Sequence, residues 1–412
     1  MTKQILGIVA DDLTGAMDSS GYFARLGLGT VVILDPDFPS AADVVVVNTN
    51  SRAEDPGVAR GRVKKAVRSL AGRVVYKKID STLRGNIGVE LEAAMVETDS
   101  EKVIVAPAFP AVGRTTVAGV LLVDGMAVAE TQFADDPISP VRESHIPTLL
   151  EEITGDWVGS IGVADIMAGP ESLYRRINRM SSGIIVCDVT RQSHLTGIVQ
   201  AAALAKGHWL LCGSGGLARE LHLLIGALEV GKVKPSKQPA GPALVAVGTR
   251  NQVAANQLRK AEKEFGLPVL NLEVEYQSQE DIVTGRIDGI LAEASRLLEK
   301  GKGLAVSSTF SRYTPALKQS IPILMGEVVT GLLVTRKFAG LFLSGGDIAV
   351  EVCHRLSVVA ISVLGEVEPG VPAGEMMGGP SAGMRVVTKA GGFGTEEALV
   401  KSMAYLEKGY LS

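Results

Sequence analysis

The chain has 412 residues, 46% hydrophobic and 21% charged, so it can bury a large core and is too apolar for disorder. At ~100–200 residues per domain this length predicts two domains. A net charge of −4 provides no basic field for nucleic acid or anionic lipid, and no apolar run reaches the ~20 residues of a membrane span.

Aromatics are only 4%, against 47 glycines and 18 prolines, which predicts glycine-shaped loops between Ala/Val/Leu-rich elements, the composition of an α/β protein. The apolar run Ile5–Ala10 before Asp11 and Asp12 is too short and too acidic for a signal peptide. Cys187, Cys212 and Cys353 are odd in number and widely spaced. They read as buried thiols in a reducing, cytoplasmic compartment, without a zinc or disulfide framework.

Short β-rich runs alternate with helical periodicity. Gln4–Ala10 predicts a buried strand, and Met17, Phe23 and Leu26 set a helix over Thr14–Leu26. Thr30–Leu34 and Asp43–Val47 follow as strands. The four consecutive valines of the second fit a sheet covered on both faces. Asp55 caps a helix that starts with Pro56 and runs to Ala71. Val74–Lys78, Lys102–Ala106, Gly183–Cys187 and Trp209–Cys212 continue the strands, with helices at Asn86–Val96, Pro170–Met180, Thr190–Ala205 and Leu217–Leu228. Gly231–Pro242 holds three prolines and three lysines and reads as a linker. The expected organisation is a domain over 1–234, a linker at 235–242 and a second domain over 243–412. In the second, strands Ala243–Val247, Val269–Leu272, Gly303–Ser307, Gly340–Ser344 and Val358–Leu364 alternate with helices at Gln252–Phe265, Asp281–Glu299, Thr314–Leu333, Asp347–Leu356 and from Thr395.

Ligands of open α/β sheets bind beyond the carboxyl ends of the strands, so the loops there are the candidates. The first strand ends in Asp11-Asp12, a repelling pair suited to hydroxyls, a metal or a cation, though either residue could simply cap the next helix. The valine strand ends in Asn48–Arg52. Lys78, Asp80, Ser81, Thr82 and Arg84 lie within seven positions beside Gly85 and supply donors and acceptors for a polyhydroxy acid. Arg114, held near Pro107 and Pro110, suits a carboxylate or phosphate. In the second half, Gly248-Thr249-Arg250-Asn251, Gly345-Gly346-Asp347 and Lys389-Ala390-Gly391-Gly392 each join a strand to a helix, where amides can face phosphate and the lysine adds charge. No Walker motif or G-x-G-x-x-G fingerprint is present, and none of the five histidines lies in these loops.

Read together and in order, ADDLTGAMD, KKIDSTLRGNIGVE, PAFPAVGRTTVAG, CGSGGLA, SGGDIA and VTKAGGFG make the chain resemble the four-carbon acid sugar kinase family over nearly its full length. The resemblance implies ATP-dependent phosphorylation of the terminal hydroxyl of an acid such as D-threonate, D-erythronate or a 3-oxo-tetronate. It also implies an acid-sugar domain followed by an unusual nucleotide-binding domain, with ATP and Mg²⁺ as cofactors. Carried over by motif, substrate contacts fall on Asp12, Arg52 and Lys78–Arg84, with Asp12 and Arg84 catalytic. Nucleotide contacts fall on Thr249, Gly345, Gly346, Asp347, Ile348 and Gly391. No residue is singled out as a metal ligand. The chain departs from the family at Gly248-Thr249-Arg250-Asn251, where relatives have a serine-rich turn, and at Gly346-Asp347-Ile348, where they have G-G-E-T or G-G-D-T. The expected partner is a small sugar acid, and a homo-oligomer is compatible with the sequence. Two other readings are a non-enzymatic sugar-acid/nucleotide binding protein and a haloacid-dehalogenase-like phosphatase. The latter needs two aspartates one residue apart, whereas Asp11 and Asp12 are adjacent.

Overall fold

A computed structural model describes residues 6–136, 139–155, 157–181, 183–225, 241–272, 287–299, 303–309 and 320–409. The expected linker at 235–242, apart from Gly241 and Pro242, lies outside them, as do the first residues of the helices expected at Asp281 and Thr314 and the end of the one expected to reach Leu228. Strands in chain order are β1 Leu6–Ala10, β2 Thr30–Ile33, β3 Val44–Asn48, β4 Val74–Lys78, β5 Lys102–Ala106, β6 Arg114–Val117, β7 Val120–Val123, β8 Met126–Ala127, β9 Val158–Ile161, β10 Ile184–Cys187, β11 Trp209–Gly213, β12 Ala243–Val247, β13 Val269–Asn271, β14 Gly303–Ser307, β15 Gly340–Ser344, β16 Ala360–Glu368, β17 Val371–Met377 and β18 Arg385–Lys389.

Contacts divide the chain into two α/β units. One comprises Met1–Ser19 with Pro39–Val230, the other Ser20–Phe38 with Gly231–Ser412. In the first, seven parallel strands run β3-β1-β4-β11-β5-β10-β9. All five residues of β1 and of β3 are buried, as the unalternating apolar runs predict for a sheet with helices on both faces. Asp55 caps the helix Pro56–Ser69 by accepting the Gly57 amide at 2.8 Å, with Pro56 at its first position. The register puts Asn48, Ala10, Lys78, Gly213 and Ala106 in one row at the carboxyl edge. The candidate loops of the first unit therefore leave the sheet side by side. A three-stranded antiparallel meander, β6-β7-β8, was not expected.

The second unit has strand order β13-β14-β12-β15-β18-β17-β16-β2. The first five are parallel and the last three antiparallel, so the sheet is less uniformly parallel than the alternation predicts. Ser20–Phe38, expected with the first domain, belongs here because β2 pairs with β16, matching Thr30 to Val363 and Ile33 to Ala360. Arg25 reinforces the join with Glu366 at 3.3 Å. The core lies between the sheet and the helices Gln252–Phe265 and Ala398–Lys408, around Val245, Leu258, Phe342, Val387 and Leu406. Asn271, Ser307, Val247, Ser344 and Lys389 form the carboxyl-edge row.

Candidate functional sites

The first-unit site is organised by Arg52. Its Nε donates to Asp11 at 2.7 Å, its Nη2 to Asp11 at 2.9 Å and Asp12 at 2.7 Å, and its Nη1 lies 3.9 Å from Asp80. Burial alone would drive the Arg52 charge off, but Asp11, Asp12 and Asp80 outweigh it and hold the guanidinium firmly protonated. Burial likewise opposes ionisation of Asp11, and Arg52, Lys77 and Lys78 reverse that, leaving the carboxyl below its usual range. Asp12 also accepts the Gly15 amide at 3.0 Å and the Thr14 hydroxyl, so it caps the helix Leu13–Arg25 while facing Arg52. At Gly15 a Cβ would lie 2.8 Å from Lys78 Nζ and 2.5 Å from Asp12 Oδ1, so a larger residue would displace both side chains.

After β4 the chain turns through the expected loop. Asp80 accepts Arg84 Nε at 2.8 Å, Arg84 Nη2 at 3.2 Å and the Thr82 amide at 3.3 Å, and also the Thr82 hydroxyl. Burial would raise the Asp80 pKa, but Arg84 and Arg52 hold it well below the carboxylate range. Asp80 is therefore a fixed anion and a poor proton acceptor. Arg84 also donates to Asp136 at 3.2 Å and stacks over Phe133 at 5.4 Å. The buried Lys78 ammonium donates to the Ile79 carbonyl at 3.0 Å, and Ser81 is half-buried in the same turn. Arg114 is near enough for Asp80 and Arg84 to act on its charge. Burial lowers its pKa, and its Nε is buried without a partner among the described residues.

Asp12, Arg52, Lys78, Asp80, Ser81, Thr82, Arg84 and Arg114 thus gather at one sheet edge. Residues not singled out from the sequence complete it. Lys77 and Glu90 form a fully buried pair at 2.7 Å, and Glu90 takes the Ser51 hydroxyl at 2.6 Å directly behind Arg52. Glu90 closes the NIGVE motif, so a signal was present; Asp136, 52 positions from Arg84, had none. A pocket of ≈ 230 Å³ opens beside Arg52, lined also by Leu83, Asn86, Ser139 and Arg142. Both acids of the adjacent pair bond Arg52.

In the second unit the three glycine loops leave adjacent parallel strands and meet. The Gly248 amide donates to Ser344 at 3.0 Å and the Gly345 amide to Lys389 at 3.1 Å. A Cβ on Gly391 would press on the Thr249 side chain, 3.0 Å from its Cβ, and on Asn251. Gly345, at φ +110°, opens the helix Gly346–Arg355 without a side-chain cap, the kind of helix start at which backbone amides can face an anion. Asp347 sits in that first turn. Thr249 accepts the Asn251 amide at 3.2 Å, and Asn251 caps the helix Gln252–Phe265. The Ile348 side chain is buried beside Gly248, so a contribution from this position to a ligand would come from its backbone. Backbone-lined glycine cradles fit a nucleotide phosphate. Among the described residues no three His, Cys, Asp or Glu side chains cluster to hold a metal ion, and no helix is long and apolar enough to cross a membrane.

Residues 6–221 match a sugar-binding N-terminal domain and residues 244–399 a nucleotide-binding C-terminal domain. A D-threonate kinase of Bordetella bronchiseptica is 33% identical, over 96% of each chain. The chain belongs to the four-carbon acid sugar kinase family. A D-threonate kinase of Salmonella typhimurium is 32% identical over 98% of each chain. A solved structure of a putative tRNA synthase from Salmonella typhimurium LT2 has the same fold, at TM-score 0.79 and 24% identity, covering 96% of this chain and 98% of that one.

Proposed function

We propose that this chain uses ATP to phosphorylate the C4 hydroxyl of a four-carbon sugar acid, D-threonate first among the candidates. The observation that carries the reading is the charge cluster at the carboxyl edge of the sugar-binding unit, where Arg52 pairs with Asp11 and Asp12, Arg84 pairs with Asp80, and a small pocket opens beside Arg52. Phosphoryl transfer depends on positioning and charge neutralisation more than on covalent chemistry. In this reading Asp80, Ser81, Thr82 and Asp12 hold substrate hydroxyls. Lys78, Arg114 and Arg52 favour its carboxylate, and Arg84 meets the incoming phosphoryl charge. Asp12 takes the proton of the attacking hydroxyl, because Asp80 is tied down by two arginines. ATP lies on the amides of the Thr249, Gly345–Asp347 and Gly391 loops. When bound with the nucleotide, Mg²⁺ would supply neutralisation of phosphate charge. Three free, buried thiols suit a reducing cytoplasm.

D-threonate leads because both relatives above carry that activity in their names. The test is acid-dependent ADP release over a panel of D-threonate, D-erythronate and 3-oxo-tetronates, with the phosphorylated carbon assigned by NMR. ADP release with D-threonate and phosphate on C4 is the expected result. No acid-dependent release with any member would overturn the proposal.

A further inference from the structure

Lys389 was expected to offer its charge to a phosphate, yet its ammonium faces the other way. The side chain is 1% exposed, and Nζ donates to the carbonyls of Ala390, Gly391 and Phe393, each at 3.0 Å. Three donors meet three acceptors, which uses up an ammonium group. From the helix Gln252–Phe265, the buried Gln257 Nε2 donates to the carbonyls of Phe393, Gly394 and Thr395 at 3.2, 3.3 and 2.7 Å, its two protons shared among the three. Glu368 takes the Thr395 amide and hydroxyl at 2.5 and 2.9 Å. The carbonyls of five residues between Ala390 and Thr395 therefore point into the protein. Among the described residues the Gly391 and Gly392 amides meet no acceptor, and both glycines are at least partly exposed.

We infer that Lys389 and Gln257 are positioning residues that draw the carbonyls of the 390–395 loop inward and so aim the Gly391 and Gly392 amides at a nucleotide phosphate. The inference rests on the reading that the nucleotide lies on the glycine loops. Lysine does here what a phosphate-binding lysine does not: it spends its N–H donors on the loop. Its backbone carbonyl also holds the Gly345 amide, so one residue ties two of the three loops together. Burial lowers the Lys389 pKa to about 7 against the pull of Glu368, and the N–H groups that remain above that pH still face the three carbonyls.

The test compares Lys389→Met and Gln257→Leu with wild type by calorimetric titration of ADP at several salt concentrations, alongside KM for the sugar acid. Both variants should weaken ADP about tenfold, the size expected when hydrogen bonds that orient a site are lost. The sugar-acid KM should not move, and the dependence of ADP affinity on salt should stay parallel to wild type because no ionic contact has been removed. A lysine that touches phosphate directly predicts a shallower salt dependence for Lys389→Met and unchanged affinity for Gln257→Leu. Either result overturns the inference. Should Lys389→Met fail to fold, Gln257→Leu decides alone. Gly391→Val separates the two levels: it should abolish ADP binding. Wild-type affinity in that variant would remove the nucleotide location itself, and the inference with it.

Discussion

Replacing Arg52 with Met keeps the aliphatic stem and removes the cation that three carboxylates share. Asp11 is 2% exposed and would lose both direct hydrogen bonds to that guanidinium. Removing one partner of a buried ion pair costs about 3–5 kcal/mol. Lys77 and Lys78 still act on Asp11, which places the expected loss near the lower figure, about 3 kcal/mol at pH 7.5. The sign of the pH dependence is more diagnostic than the size. In wild type, Asp11 and Asp80 titrate below their unfolded values, so their contribution is present above about pH 3.9 and is lost as pH falls through the lower folded values. In the variant, burial acts on Asp11 with less opposition and pushes its carboxyl up. The folded chain then holds more protons than the unfolded one, and stability falls as pH rises. Urea denaturation of both proteins at pH 5 and pH 7.5 measures this. The gap between them should widen towards pH 7.5. A constant gap would show that Arg52 does not neutralise the cluster, and the electrostatic argument for the site would fail.

Three other outcomes follow from the same geometry. Asp12→Asn should lose ~10²–10⁴ in kcat, the range for general-base removal; a rise in KM alone, with kcat intact, makes Asp12 a binding residue. Arg84→Ala removes two bonds to Asp80 and one to Asp136 and should collapse kcat/KM while circular dichroism stays native; wild-type kinetics would strike Arg84 from the site. Burial pulls Lys389 down to about 7, whereas the unfolded chain keeps that proton to about 10.4, so wild-type stability should rise relative to Lys389→Met by up to about 1.4 kcal/mol per pH unit between those values. Parallel stability curves from pH 7.5 to 9.5 would mean the three carbonyls keep it charged.

What could be read from the sequence was local. Four consecutive valines report a strand buried on both faces, and Asp55-Pro56 marks a helix start, because neighbours decide those features. The carboxyl-edge loops follow from the parallel topology, which places Asp12, Arg52 and Asp80 within reach although they are far apart in the chain. The β2–β16 pairing joins segments more than 300 residues apart, and no periodicity encodes it. Arg84 with Asp136 is hidden for the same reason. The meander is a different kind of omission. Ala118-Gly119 and Asp124-Gly125 both adopt positive φ, and Asp-Gly between short apolar runs is a hairpin signal present in the letters themselves.

The two units solve recognition with different materials. In the first, side chains carry the charge: guanidinium forks set carboxylates at fixed angles, which suits a ligand whose hydroxyls differ only in handedness. In the second, on the proposed nucleotide location, the backbone would face the ligand, and the buried side chains Lys389, Gln257 and Glu368 hold the loop's carbonyls and amides from behind. Amides have no stereochemical preference among phosphate oxygens, so this arrangement suits a common donor. The departures of the chain, Thr249-Arg250-Asn251 and Asp347-Ile348, change side chains around glycines that keep their positions, and Ile348 packs beneath Gly248. Loss of a loop hydroxyl can therefore leave the amide cradle intact. Exchange of one carboxylate or guanidinium in the first unit cannot be so neutral, because Arg52 binds its acids as a set and removal of any member leaves the others uncompensated.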